Sequence, residues 1–174
     1  FAFNSFGDVR VASGQESWNI RDNHMAETLK RLLDFHGPDA KAIIWEHNTH
    51  VGDARYTDMA SQGLVNVGQL ARKEYGDENV FIVGFGSYQG SVIAADRWGA
   101  PLKKMEVPPA PAGTWEGILH QLGPTNKIIL LKDIRDEKNL KKQIGHRAIG
   151  VVYDPRREQY GNYVPSVMPK RYDA

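Results

Sequence analysis

Four short apolar runs, separated by helix-like segments, constrain the fold of this chain more than anything else in its sequence. They occupy residues 41–45, 80–83, 128–131 and 148–153. Each is rich in aliphatic residues and bounded by glycine, proline or polar positions, as expected of a strand buried on both faces. From Asn19, Met25, Leu29, Leu32 and Leu33 recur on one helix face, with Asp22 or Asn23 as cap and Gly37-Pro38 as the stop. Asn66 is placed to cap a second helix, with Gln69 in the capping-box position, Val67, Leu70 and Ala71 facing the core, and Gly76 at its end. Thr114 caps a third that contains Ile118 and Leu119. A short helix is predicted at 137–144, another within the loop 52–65, and an irregular tail at 160–174. Strands alternating with helices imply an α/β fold: a largely parallel sheet flanked by helices on both faces. Residues 84–107 break that rhythm after the Gly84-Phe85-Gly86 bend. The segments 87–95 and 102–107 are expected to pair antiparallel in the middle of the fold, ending at Pro108-Pro109-Ala110-Pro111.

At 174 residues, with 41% hydrophobic and 25% charged residues, the chain reads as one domain, or part of a larger one, long enough to bury a core. No apolar stretch approaches the roughly 18 residues of a membrane span. A net charge of +1 leaves no electrostatic footprint for nucleic acid or an anionic membrane. With no cysteine, disulfides, thiolate metal sites and cysteine nucleophiles are excluded. That absence fits a cytoplasmic protein. The opening Phe1-Ala2-Phe3-Asn4-Ser5-Phe6 has neither an initiator methionine nor a secretory signal, so the chain reads as a fragment of a larger α/β domain that lacks its amino-terminal part.

Chemistry concentrates in Trp45-Glu46-His47-Asn48-Thr49-His50-Val51, at the carboxyl end of the first apolar run. Strand ends of this kind are where open α/β sheets collect ligands and catalytic groups. His47 and His50 suit general acid–base work, one as the proton acceptor and the other orienting it or binding an oxyanion, with Glu46 to tune them. The alternative is a pair of histidines that bond backbone carbonyls and fix a loop. Asp53 and Arg55 are near enough to join the site, or to form a surface ion pair. Arg21 is electrostatically unfavourable at a helix start, which suggests an anionic partner, whereas Asp22 beside it reads as a cap. His24 and Glu27 read as a solvated face. His120 and Arg135 are weaker site candidates, and Arg147, Arg156, Arg157, Lys170 and Arg171 read as a solvated basic scatter. No serine stands in a Gly-x-Ser-x-Gly elbow, which favours activated water over a serine nucleophile. The histidine spacing is not the helical His-Glu-x-x-His arrangement, so a divalent metal on His47, His50 and Glu46 is only an alternative to a cofactor-free site.

Several pieces, taken in order, resemble the erythromycin esterase family. They are Trp18-Asn19-Ile20-Arg21-Asp22 with Met25 and Ala26, the 45–51 run, Tyr75-Gly76-Asp77, Gly84-Phe85, and the closing stretch from Arg147 through Asn162-Tyr163 to Asp173. The resemblance implies a hydrolase without a catalytic serine. In it, His47 and His50 line the cleft, and an upstream segment supplies a further histidine and glutamates. On that basis the expected activity is hydrolysis of an ester or lactone by histidine-assisted attack of water, with His47, His50, Glu46, Arg21 and Arg55 as site residues. A small-molecule substrate is the expected partner, and the site would be completed by the amino-terminal segment or a second copy of the chain. The other class of reading is a non-catalytic domain that binds a metal or small molecule through the same histidines.

Overall fold

The computed structural model describes residues 14–134 and 140–174. The opening aromatic segment and Arg135 lie outside those residues, as do positions 137–139 of the helix expected at 137–144; positions 140–144 form no α-helix. Among the described residues there are six α-helices and two small antiparallel sheets. The helices are α1 (Gly14–His36), α2 (Asn48–Val51), α3 (Val67–Tyr75), α4 (Trp115–His120), α5 (Glu158–Gly161) and α6 (Met168–Arg171). Strand β1 (Gly90–Ala94) pairs with β2 (Lys103–Val107), and β3 (Ile144–Arg147) with β4 (Tyr163–Ser166). No helix among these residues is long and apolar enough to cross a membrane.

The α/β class is correct, but no largely parallel sheet is found among the described residues. The runs 41–45, 80–83 and 128–130 carry no regular secondary structure and join no ladder, and the fourth contributes one parallel bridge, Ala95 to Val152. Their apolar side chains are not uniformly buried: Ile82 is in the core, while Ile43 is 96% and Ile128 91% exposed. The antiparallel pairing expected within 84–107 is present as β1 and β2. Ile144 opens strand β3 instead of closing a helix. The tail is far from irregular. It carries α5, β4 and α6, and Arg171 and Tyr172 are among its most deeply buried side chains.

The long helix α1 starts at Gly14, ahead of Asn19, and neither Asp22 nor Asn23 caps it. The Asn23 amide donates back to the Asn19 carbonyl (2.7 Å), and Asp22 is buried mid-helix. Its docking is polar. Trp18 Nε1 donates to the Val65 carbonyl (2.8 Å), Val65 N–H donates to Asn19 Oδ1 (2.9 Å), and Val67 N–H to Asp22 Oδ2 (3.3 Å). These side chains share one helix face by their spacing, and they hold the loop that leads into α3. The leucine stripe is the looser face, with Leu32 52% exposed.

The two expected caps form. Asn66 Oδ1 accepts from Gln69 N–H (3.0 Å) and Thr114 Oγ1 from Gly117 N–H (3.2 Å). Asn66 also donates to the Thr49 carbonyl (2.9 Å) and to the Gly52 carbonyl, so the cap of α3 holds the turn of α2 as well. Close approach of these helices requires Gly68, where an added Cβ would overlap the Val51 carbonyl. Gly68→Ala is therefore expected to destabilise the protein by about 1–3 kcal/mol, as overpacking does, read as a lower urea midpoint with an unchanged slope.

The core has two parts. Ile82, Trp115, Leu131, Met168 and Tyr172 form the larger, and Ala94, Met105, Val107 and Tyr153 the smaller, against β1 and β2. Each fully buried large aliphatic or aromatic side chain is worth roughly 1.5–3 kcal/mol relative to exposure. Buried charge accompanies it: Arg72 bridges Asp53 (3.3 Å) and Asp173 (2.8 Å). Arg147 donates to Glu158 (2.7 Å) and to the carbonyls of Ser87, Tyr88 and Pro108. The residues read as a solvated basic scatter thus include two of the most tightly held side chains, Arg147 and Arg171.

Candidate active site

The histidine-bearing turn is built locally. His47 is the N-cap of α2, and its Nδ1 accepts from Thr49 N–H (3.3 Å) and lies 2.9 Å from Thr49 Oγ1. Its Nε2 is 2.9 Å from the Ile149 carbonyl. A carbonyl only accepts, so Nε2 carries the proton and Nδ1 the lone pair. Burial is the main cause that holds this imidazole below its usual pKa, so it stays neutral. Both nitrogens of His47 are thereby engaged in holding the turn.

His50, one helical turn further on, meets a different set of groups. Its Nδ1 lies 2.9 Å and 3.0 Å from the two oxygens of Asp22, which is wholly buried. The carboxylate accepts, so Nδ1 carries the proton and the lone pair is left on Nε2, 3.5 Å from a guanidinium nitrogen of Arg21. The ring of Trp18 stacks flat on the imidazole, with centroids 4.5 Å apart at an interplanar angle of 7°. Arg21 in turn lies over Trp18 (5.0 Å) with half its side chain exposed. Two separate stretches of sequence, 18–22 and 45–51, converge here.

Glu46 completes the cluster. Its Oε2 is buried and accepts no hydrogen bond, and burial pushes its carboxyl above the usual range, with Asp22 adding to the rise and His50 and Arg21 opposing it. Trp45 beside it is 84% exposed and leans on Phe85 (6.0 Å). Asn48 locks the turn to the Gly-rich bend, exchanging hydrogen bonds with the Phe85 backbone through both ends of its amide.

Of the residues singled out in the sequence, His50, Arg21 and Glu46 come together, and His47 stands beside them as the cap of their turn. Arg55 is drawn elsewhere. Its guanidinium grips Asp53 (2.7 Å) and approaches Asp77 (3.8 Å), which raises its pKa further, and it lies over Tyr56. His120 stacks on Tyr88 (3.6 Å). Among the described residues no group of three histidine, cysteine or acidic side chains is arranged to hold a metal ion. The residue missed as a site member is Asp22. Next to a presumed helix start it reads as a cap, and only its contact with a histidine 28 positions away reveals otherwise.

The fold and this cluster define an α/β chain that presents a carboxylate-oriented imidazole, with an arginine against its Nε2. The erythromycin esterase family model matches residues 4–174, and the chain belongs to that family. Membership indicates esterase-like hydrolase chemistry at the level of the family. No solved structure matches the chain.

Proposed function

We propose that this chain hydrolyses an ester or lactone of a small molecule, with His50 as the general base. The observation that supports this reading is the Asp22–His50 contact, which fixes the tautomer whose Nε2 can take a proton. Water loses a proton to Nε2 as its oxygen bonds to the carbonyl carbon, and Asp22 stabilises the imidazolium that forms. The half-exposed Arg21 guanidinium is the group placed to meet the developing oxyanion. Collapse of the tetrahedral intermediate breaks the bond to the alkoxide, which takes a proton from the imidazolium. Glu46, its carboxyl raised by burial, tunes the charge on this pair. Arg55 is left out of this scheme because Asp53 holds it, and His47 serves by capping the turn.

The test is hydrolysis of p-nitrophenyl butyrate and of a simple lactone by the protein and its variants. His50→Ala is expected to lower kcat by about 100-fold or more, the scale of general-base loss, with unchanged far-ultraviolet circular dichroism. His47→Ala is expected to cut turnover less, through a loosened turn, and to cost about 1 kcal/mol of stability as a lost cap. Wild-type rates in a folded His50→Ala protein would remove His50 from the mechanism.

A further inference from the structure

A second histidine–carboxylate pair lies behind the turn and plays no part in the scheme above. Glu116, on the first turn of α4, and His146, on β3, are both buried. Glu116 Oε1 accepts from Arg147 N–H (2.9 Å) and stands 3.4 Å from His146 Nε2, while its Oε2 is buried and has no hydrogen-bond partner. Across the ring, His146 Nδ1 is 3.4 Å from the Tyr172 hydroxyl, and the two rings meet edge to face. The Phe85 carbonyl is a further acceptor for this imidazole.

Both of those neighbours hold Asn48. The Tyr172 hydroxyl (3.4 Å) and an Arg171 guanidinium nitrogen (3.2 Å) donate to the Asn48 carbonyl, and the Phe85 backbone bonds both ends of the Asn48 amide. Asn48 is the first residue of α2 and lies between His47 and His50. The Gly84-Phe85-Gly86 bend fits this junction closely. A Cβ at Gly84 would strike the Tyr172 ring, and one at Gly86 would rest on Glu116 and His146. We infer that Glu116 and His146 are positioning residues: the pair braces the Tyr172 hydroxyl and the Phe85 carbonyl, and through these two grips on Asn48 it sets the turn that presents His47 and His50.

The inference rests on the proposed esterase reading for its catalytic consequence, but the positioning itself can be read without any substrate. Burial disfavours charge on both members of the pair. It lowers the imidazole pKa to about 3 and raises the carboxyl, with Arg171, His47, Arg147 and Glu158 as the other charged or titratable groups facing the pair. An amide in place of the acid has the same size and can still accept from Arg147 N–H through its oxygen.

The test uses the full chain in three variants: Glu116→Ala, Glu116→Gln and Tyr172→Phe. The first readout is the 15N and 1H signals of the His47 and His50 rings, followed through a pH titration. Glu116→Ala and Tyr172→Phe are expected to move these signals, and Glu116→Gln to leave them near wild type. The second is hydrolysis of p-nitrophenyl butyrate, where Glu116→Ala is expected to lower kcat about tenfold with KM nearly unchanged, and Glu116→Gln to restore it. If Glu116→Ala does not fold, Tyr172→Phe carries the test, since it removes only a hydroxyl. Unmoved ring signals in the folded variants, or a Glu116→Gln protein that behaves like Glu116→Ala, would overturn the inference. Absence of wild-type hydrolysis alongside shifted ring signals would count against the esterase reading and leave the brace standing.

Discussion

Replacing Asp22 by asparagine is expected to lower ester hydrolysis by about two to four orders of magnitude, the range seen where a histidine loses the carboxylate that fixes its tautomer. Asp22 offers two acceptor oxygens, which receive the His50 Nδ1 proton and the Val67 N–H. Asparagine keeps one acceptor and brings two donors. With its amide nitrogen toward His50, the imidazole must carry its proton on Nε2, and the lone pair that would activate water is gone. With the oxygen toward His50, the Val67 N–H at the start of α3 loses its acceptor inside the fold, at a cost of about 1–3 kcal/mol. Either way the imidazolium loses its counter-charge. The measurement is kcat against pH for p-nitrophenyl butyrate, together with the urea midpoint. A variant that keeps both the wild-type rate and its pH profile would remove Asp22 from the mechanism.

The second large effect is on stability in mild acid. His146 is buried against Tyr172 and Glu116, with Arg171 and His47 also facing it, and desolvation first, then the Arg171 guanidinium, push its pKa down to about 3 from 6.5. The unfolded chain binds a proton below pH 6.5 that the folded chain refuses. Stability is therefore full above about pH 6.5 and falls as the pH drops toward 3, with a slope approaching 1.4 kcal/mol per pH unit and an upper bound of about 5 kcal/mol. His47, also lowered, adds a smaller loss of the same sign. Glu116 acts in the opposite direction, because its raised carboxyl favours the fold below its own folded pKa. Urea unfolding from pH 7 to pH 4 should show the net decline, and His146→Gln should flatten it. Equal slopes in wild type and variant would show that His146 does not drive the decline.

What the sequence made legible was local. Asn66 with Gln69, and Thr114 before its helix, announced their caps because a short polar side chain three positions from a backbone N–H suffices for that geometry. The Gly-rich bend and the proline cluster likewise bracketed an antiparallel pair. The apolar runs misled because periodicity reports how a segment would be buried and says nothing of what lies beside it. Runs 41–45 and 128–130 have the pattern of interior strands yet no ladder among the described residues. The tail misled for the reverse reason. Arg171 looks like solvated charge, and only Ser166 and the Asn48 carbonyl, brought in by the fold, explain its burial. The candidate site was half visible on the same grounds. His47, His50 and Glu46 sit in one run, whereas Asp22, Glu116 and His146 acquire their roles only from contacts across tens of residues.

The flat packing of Trp18 on His50 gives the site an optical signal of its own. An imidazolium in van der Waals contact with an indole quenches its emission more than a neutral ring does. The emission of this one of four tryptophans therefore follows whether its neighbour has gained a proton, and the state of the proposed base can be watched without any added dye or ester.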